Sequence, residues 1–161
     1  MLKSEKNFLE RMADAIPGLS GYRAREDRRT TDKRLREHLA SRLDRVRDRV
    51  ETAKLARTDA HDLDSVGQLG RLSRSLQIAA DGLRFASYGY SGAFDQLKIK
   101  EAELDTLYTH DLKLAEAVQA LETLVGDPSH TVQEAVEAAA AVDRLLAERK
   151  ALWDRPDTGT P

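Results

Sequence analysis

Residues 23–50 read RAREDRRTTDKRLREHLASRLDRVRDRV, and the change of character at Leu35 decides the fold class. Before it, Arg23 to Arg34 contain no apolar side chain larger than Ala24. From Leu35 onward, Leu35, Leu39, Leu43, Val46 and Val50 recur every three or four residues. That spacing draws one apolar stripe along a helix of about 3.6 residues per turn, and such a stripe is buried against other helices. With Ala53 it makes a heptad-like seam of the coiled-coil kind, and the helix is expected from about Ala24 to Arg57, roughly 50 Å long. Its first turns carry charge and have nothing to bury, so they are expected to be exposed and to serve as an interaction surface.

Downstream the stripe recurs three times. Asp59 or Asp62 is suited to cap a helix with Val66, Leu69, Leu72, Leu76, Ala80 and Leu83 on one side. Gly67 and Gly70 each cost about 1 kcal/mol against Ala in a helix, which suggests a close helix approach or a loose first turn. Ser87 to Gly92 (SYGYSG) breaks the pattern, and a further helix is expected from Phe94 or Asp95 to Val125 through Leu104, Leu107, Asp111, Leu114, Val118 and Leu121. Gly126 then stops it, with Asp127 read as the next N-cap and Pro128 as the first helical residue. The last helix carries Val132, Ala135, Val136, Ala139, Val142, Leu146 and Trp153 inward, and Ala138 to Ala141 allow a close neighbour. At the other end, Phe8, Leu9, Met12 and Ile16 mark a short helix closed by Pro17. The expected architecture is all-α: an antiparallel bundle of four long helices over residues 23–154, a short amphipathic helix and turn over 1–22, and a disordered tail over 155–161.

The chain has 161 residues, 34% charged and only 5% aromatic, which is one domain's worth with a core of Leu, Val and Ala. Cysteine is absent, so disulfides and thiolate metal sites are excluded, and the cytoplasm is the expected location. No apolar run approaches the roughly 20 residues that span a bilayer, and Met1 to Gly18 carries charges where a secretion signal needs an uninterrupted apolar stretch. The formal net charge of −2 conceals an asymmetry. Residues 23–49 hold eleven Lys or Arg against six Asp or Glu, whereas residues 50–161 hold twelve against nineteen.

Four-helix bundles often hold di-iron sites built from Glu-x-x-His pairs, and no such pair is present. His38, His61, His110 and His130 are scattered and read as solvated or capping groups. Phosphate loops, dinucleotide fingerprints and zincin motifs are also missing, so no cofactor and no metal is expected. Asp111 is the one ionisable residue set squarely in an apolar seam, and a buried carboxylate needs a partner. A hairpin of the second and third long helices would place Ser73 to Ser75, with Arg74, opposite it; a hairpin about Asp127 would place Arg144 there. A structural ion pair outweighs a catalytic acid, because no second acid, base or nucleophile joins Asp111. Tyr88 and Tyr90, with Phe85 and Phe94, gather aromatics at one turn, either as a contact surface or, with more weight, folded over the end of the bundle.

Ile16 to Tyr22 (IPGLSGY), Arg28 to Arg36 and Phe85 to Tyr90 (FASYGY) resemble a family of uncharacterised bacterial all-helical proteins. The resemblance covers most of the chain, implies a bacterial source and a helical fold, and carries over no catalytic residue. The expected function is a non-enzymatic scaffold or adaptor, touching a protein partner through Arg23, Arg25, Arg28, Arg29, Lys33, Arg34, Tyr88, Tyr90 and Phe94. Self-association through the same surfaces is compatible with the long seams. The alternative is peripheral binding of an anionic membrane or a nucleic acid by the basic run. Against it stand the electrical neutrality of the first helix and the lack of interleaved aromatics. The weakest reading is a small-ligand binder or enzyme using Asp111.

Overall fold

The computed structural model describes residues 28–86 and 101–153, and these are helical apart from tight turns. Four helices follow in order: α1 (Arg28–Asp59), α2 (Leu63–Arg84), α3 (Glu101–Gly126) and α4 (Val132–Trp153). No strand occurs among the described residues. The expected helix within residues 1–22, the turn with Tyr88, Tyr90 and Phe94, and the tail over 155–161 lie outside them. The core is one cluster drawn from all four helices. Leu35, Leu39, Leu43, Val46 and Val50 of α1 meet Leu69, Leu72, Leu76 and Leu83 of α2, Leu114, Val118 and Leu121 of α3, and Ala135, Ala139 and Val142 of α4. Ala53, read as part of the first seam, is exposed.

Each helix packs against two others: α1 and α4 both touch α2 and α3, while α1 faces α4, and α2 faces α3, across a diagonal. The pairs consecutive in sequence are antiparallel hairpins. Between the hairpins the neighbours run parallel. Arg42 of α1 pairs with Glu122 of α3, about three turns along both helices from the level where Asp32 and Asp111 meet the same guanidinium of Arg149. In the same way the Ser75 hydroxyl of α2 donates to Asp143 Oδ2 of α4 at 2.6 Å. The expectation that Ser73 to Ser75 and Arg74 stand opposite Asp111 is therefore corrected, because α2 and α3 are not neighbours.

The α1–α2 turn closes as a Schellman motif. The Asp62 amide donates to the Arg57 carbonyl and the His61 amide to the Thr58 carbonyl, both at 3.0 Å. His61 takes the left-handed position of that motif at φ 59°, where glycine is the usual residue. Asp62 caps α2, its carboxylate accepting from the Ser65 amide at 3.2 Å.

The α3–α4 turn differs from expectation. Asp127 is not the N-cap of α4; its side chain accepts from the Ser129 amide at 2.9 Å within the turn. The cap is Thr131, whose hydroxyl accepts from the Glu134 amide at 3.2 Å while the Glu134 carboxylate accepts from the Thr131 amide at 2.7 Å. This reciprocal capping box satisfies two otherwise unbonded amides. It delays the start of α4 to Val132 and slides its register by about one turn from the expected one.

Gly67 and Gly70 mark no close approach. A Cβ on Gly70 would meet nothing within 4 Å, and one on Gly67 would have only the Arg71 Nη1 atom at 3.8 Å. Both glycines weaken α2 without a packing reason. Gly70→Ala is expected to stabilise the fold by about 0.4 to 1 kcal/mol. His61→Gly is expected to add a similar amount, about 0.5 to 1 kcal/mol, by removing the left-handed strain of a side-chain-bearing residue. Each change raises the melting temperature by about 2 to 4 °C if it contributes a full 1 kcal/mol. Thermal denaturation that shows a lower midpoint for His61→Gly would refute the role given to its backbone.

Candidate functional site

Five ionisable side chains are buried among the described residues: Asp32, Arg36, His110, Asp111 and Arg149. Four of them form one network. From α4, Arg149 donates from Nε to Asp111 Oδ1 at 2.8 Å on α3, and its Nη2 pairs with Asp32 Oδ1 on α1, diagonally across the bundle. Arg36, one turn after Asp32, donates from Nε to Asp32 Oδ2 at 2.7 Å. Its Nη1 then reaches the Leu83 carbonyl at 2.7 Å and the Arg84 carbonyl at 3.5 Å, in the last turn of α2. Those carbonyls have no partner within their own helix, so Arg36 caps α2 and places positive charge at its negative end. Two guanidiniums and two carboxylates balance, and the chain of contacts touches every helix.

Burial pushes the Asp111 carboxyl above the usual carboxylate range; Arg149 pulls it the other way, and the charge of Asp32 adds to the rise. For the Arg149 guanidinium, burial acts to lower the pKa, but the carboxylates of Asp111 and Asp32 outweigh it and the net direction is upward. His110, read as a solvated or capping group, is instead buried: its Nε2 donates to the Leu145 carbonyl at 2.7 Å, and Nδ1 lies 3.8 Å from the Glu148 carboxylate. No cluster of three or more His, Asp or Glu side chains suited to a metal occurs among the described residues.

Of the residues expected at a contact surface, Lys33 and Arg34 are exposed on α1. Arg28 and Arg29 belong to the same helix, but their side chains lie outside the described residues, as do Arg23, Arg25, Tyr88, Tyr90 and Phe94 entirely. The expectation of a wholly exposed basic run is corrected at Asp32. Its pairing with Arg36 is not a weak surface bridge but part of the buried network, with about a tenth of the Asp32 side chain exposed. Arg144, expected opposite Asp111, is exposed, and Arg149 stands in that place because the capping box shifts α4. Sequence reasoning missed Arg149, although it falls three residues after Leu146 on the inward stripe.

Beside this network, α2 and α4 border an open groove of about 780 Å³. The exposed Ile78 and Phe85 line it together with Leu146 and Ala147, and Arg71, Arg74 and Lys150 surround it. No helix among the described residues is long and apolar enough to cross a membrane. No protein-family model matches the chain, and neither a curated protein nor a solved structure matches it.

Arg149→Met removes the only cation bonded to Asp111 in this network, whereas Asp32 keeps Arg36. Breaking a buried pair from one side is expected to cost about 3 to 5 kcal/mol. The orphaned Asp111 then binds its proton more tightly in the folded chain than in the unfolded one. A folded pKa raised in this way gives stability that is present below the unfolded pKa and lost as pH rises through the folded one. The deficit of Arg149→Met against the parent protein should thus be smaller at about pH 5 than at about pH 7.5 in urea denaturation. The double change Asp111→Leu, Arg149→Met is expected to recover most of the loss and to remove this extra pH dependence.

Proposed function

We propose that the protein is a non-enzymatic helical scaffold or adaptor that works through protein contacts. The observation that carries this reading is the engagement of its buried ionisable groups. Asp32, Arg36, Asp111 and Arg149 satisfy one another and the end of α2, and His110 satisfies a backbone carbonyl. Groups bonded in this manner hold helices in register and do not present a free acid or base to a substrate. Charge and apolar surface lie on the outside, at the exposed Lys33 and Arg34 of α1, at Ile78 of α2 and at Phe85, its C-cap residue. A cytoplasmic setting belongs to the same proposal and is supported by the lack of cysteine.

Exchanging Arg28, Arg29, Lys33 and Arg34 for Glu tests this reading. Lys33 and Arg34 are exposed, and changes at exposed positions are expected to alter stability by no more than about 0.5 kcal/mol each. Affinity capture from the native organism's extract is expected to retain a protein with the unaltered chain and to lose it with the variant. Titrations with nucleic acid and with anionic vesicles at low salt run alongside. Binding there, lost in the variant and weakening steeply with salt, in place of any retained protein, would establish the anionic-surface alternative instead.

A further inference from the structure

The groove between α2 and α4 is bordered on the α2 side by exposed apolar residues and by Arg71 and Arg74, and on the α4 side by Lys150. Ile78 and Phe85 keep 66% and 77% of their surface exposed. They stand seven residues apart on one side, Ile78 on α2 and Phe85 at its C-cap, about 10.5 Å along the axis. A Cβ on Gly82, between them, would meet no group within 4 Å beyond its own stretch of helix, which leaves a notch in that face. Around the rim, Arg71, Arg74 and Lys150 make no ion pair among the described residues. The one carboxylate among the described lining residues, Asp143, already accepts a hydrogen bond from Ser75. This cationic rim lies in the part of the chain whose overall balance is acidic.

We propose, resting on the scaffold reading above, that this groove docks an amphipathic helix of a partner protein whose apolar stripe is flanked by Asp and Glu. Two parallel helices side by side offer a third the same ridges and grooves by which helices pack within a bundle. Anchors two turns apart match a stripe at i, i+3 or i+4, and i+7. The three cations then find carboxylates on either side of that stripe, which fixes the choice of partner more than it adds affinity. A small anionic molecule fits less well, because binding pockets enclose about 70 to 90% of such a ligand and this groove leaves its two largest apolar residues mostly open. A second copy meeting groove to groove would set the same cations against one another.

The test is a displayed library of helices roughly 20 residues long, with apolar residues fixed at the stripe positions and Asp, Glu, Lys, Arg, Ser and Gln drawn at random beside them. Selection on the full chain is expected to enrich Asp and Glu at the flanks. The selected helices should bind at least about tenfold more weakly to Ile78→Glu and to Arg71→Glu, Arg74→Glu, both of which alter exposed positions and should keep the parent melting temperature. Enrichment of neutral or basic flanks, or binding indifferent to both variants, overturns the proposal. So does tight binding of phosphatidylserine-containing vesicles, or dimerisation seen by sedimentation, that Ile78→Glu abolishes while no helix is selected. A captured protein partner that still binds Ile78→Glu overturns the groove assignment and leaves the adaptor reading standing. Acidic helices selected on the groove, with no protein captured from the extract, would uphold the groove and sink the adaptor reading.

Discussion

A guanidinium keeps its proton at any pH a folded protein meets, so Arg149 dictates the charge of its surroundings once α4 has carried it inside the bundle. Two carboxylates gather on it, one from α1 and one from α3, and the second of the buried arginines restores neutrality. Buried ion pairs seldom add net stability over well-packed apolar side chains. What this arrangement does is distinguish one alignment of the helices from others. The seams are repeats of Leu, Val and Ala that tolerate a slip of one turn, about 5.4 Å, with modest loss of packing. The same slip would part Arg149 from both Asp111 and Asp32, and a slip of α1 against α2 would part Arg36 from the Leu83 carbonyl. We read the network as the device that sets register, and the double replacement of Asp111 and Arg149 separates that role from plain stability.

The four helices were legible in the sequence because their inward faces are nearly pure in Leu, Val and Ala at helical spacing. Asp111 was legible as a buried charge because it interrupts an apolar seam; Asp32, Arg36 and Arg149 were not, since a charged residue at the end of an apolar run reads as surface. Yet Asp32 lies three residues before Leu35, Arg36 three before Leu39, and Arg149 three after Leu146, each continuing a stripe that the hydrophobic pattern alone ends too soon. The Arg144 expectation failed through a competing local signal. Asp127 followed by Pro128 looks like a helix start, but Thr131 and Glu134 have the capping-box spacing, and their two reciprocal bonds prevail. Which helix neighbours which was not legible at all. Four amphipathic stripes contain no local statement of whether consecutive hairpins sit side by side or across a diagonal.

Exposed apolar residues standing singly, such as Leu55 and Leu63, need no explanation, because much of any protein surface is apolar. Ile78 and Phe85 differ in sharing one face and one groove. They lie off the inward stripe of Leu69, Leu72, Leu76 and Leu83, so the second half of α2 with its C-cap is apolar on two sides. The second side was hidden in the sequence by its sparseness: two large residues separated by Gly82 do not make a periodic pattern.

The separation along the chain of the groups in the network bears on the order in which the structure assembles. Each hairpin is closed by a turn of a few residues, so α1 with α2, and α3 with α4, pair through contacts local in sequence. The bond between Asp32 and Arg149, by contrast, joins positions 117 apart. Contacts that close so long a loop form late, after the local ones have lowered the entropy cost. An interaction absent from the folding transition state leaves the folding rate nearly untouched and slows unfolding instead. By this reasoning the buried charges act as a latch on the finished bundle: they lengthen the lifetime of the native state more than they hasten its formation.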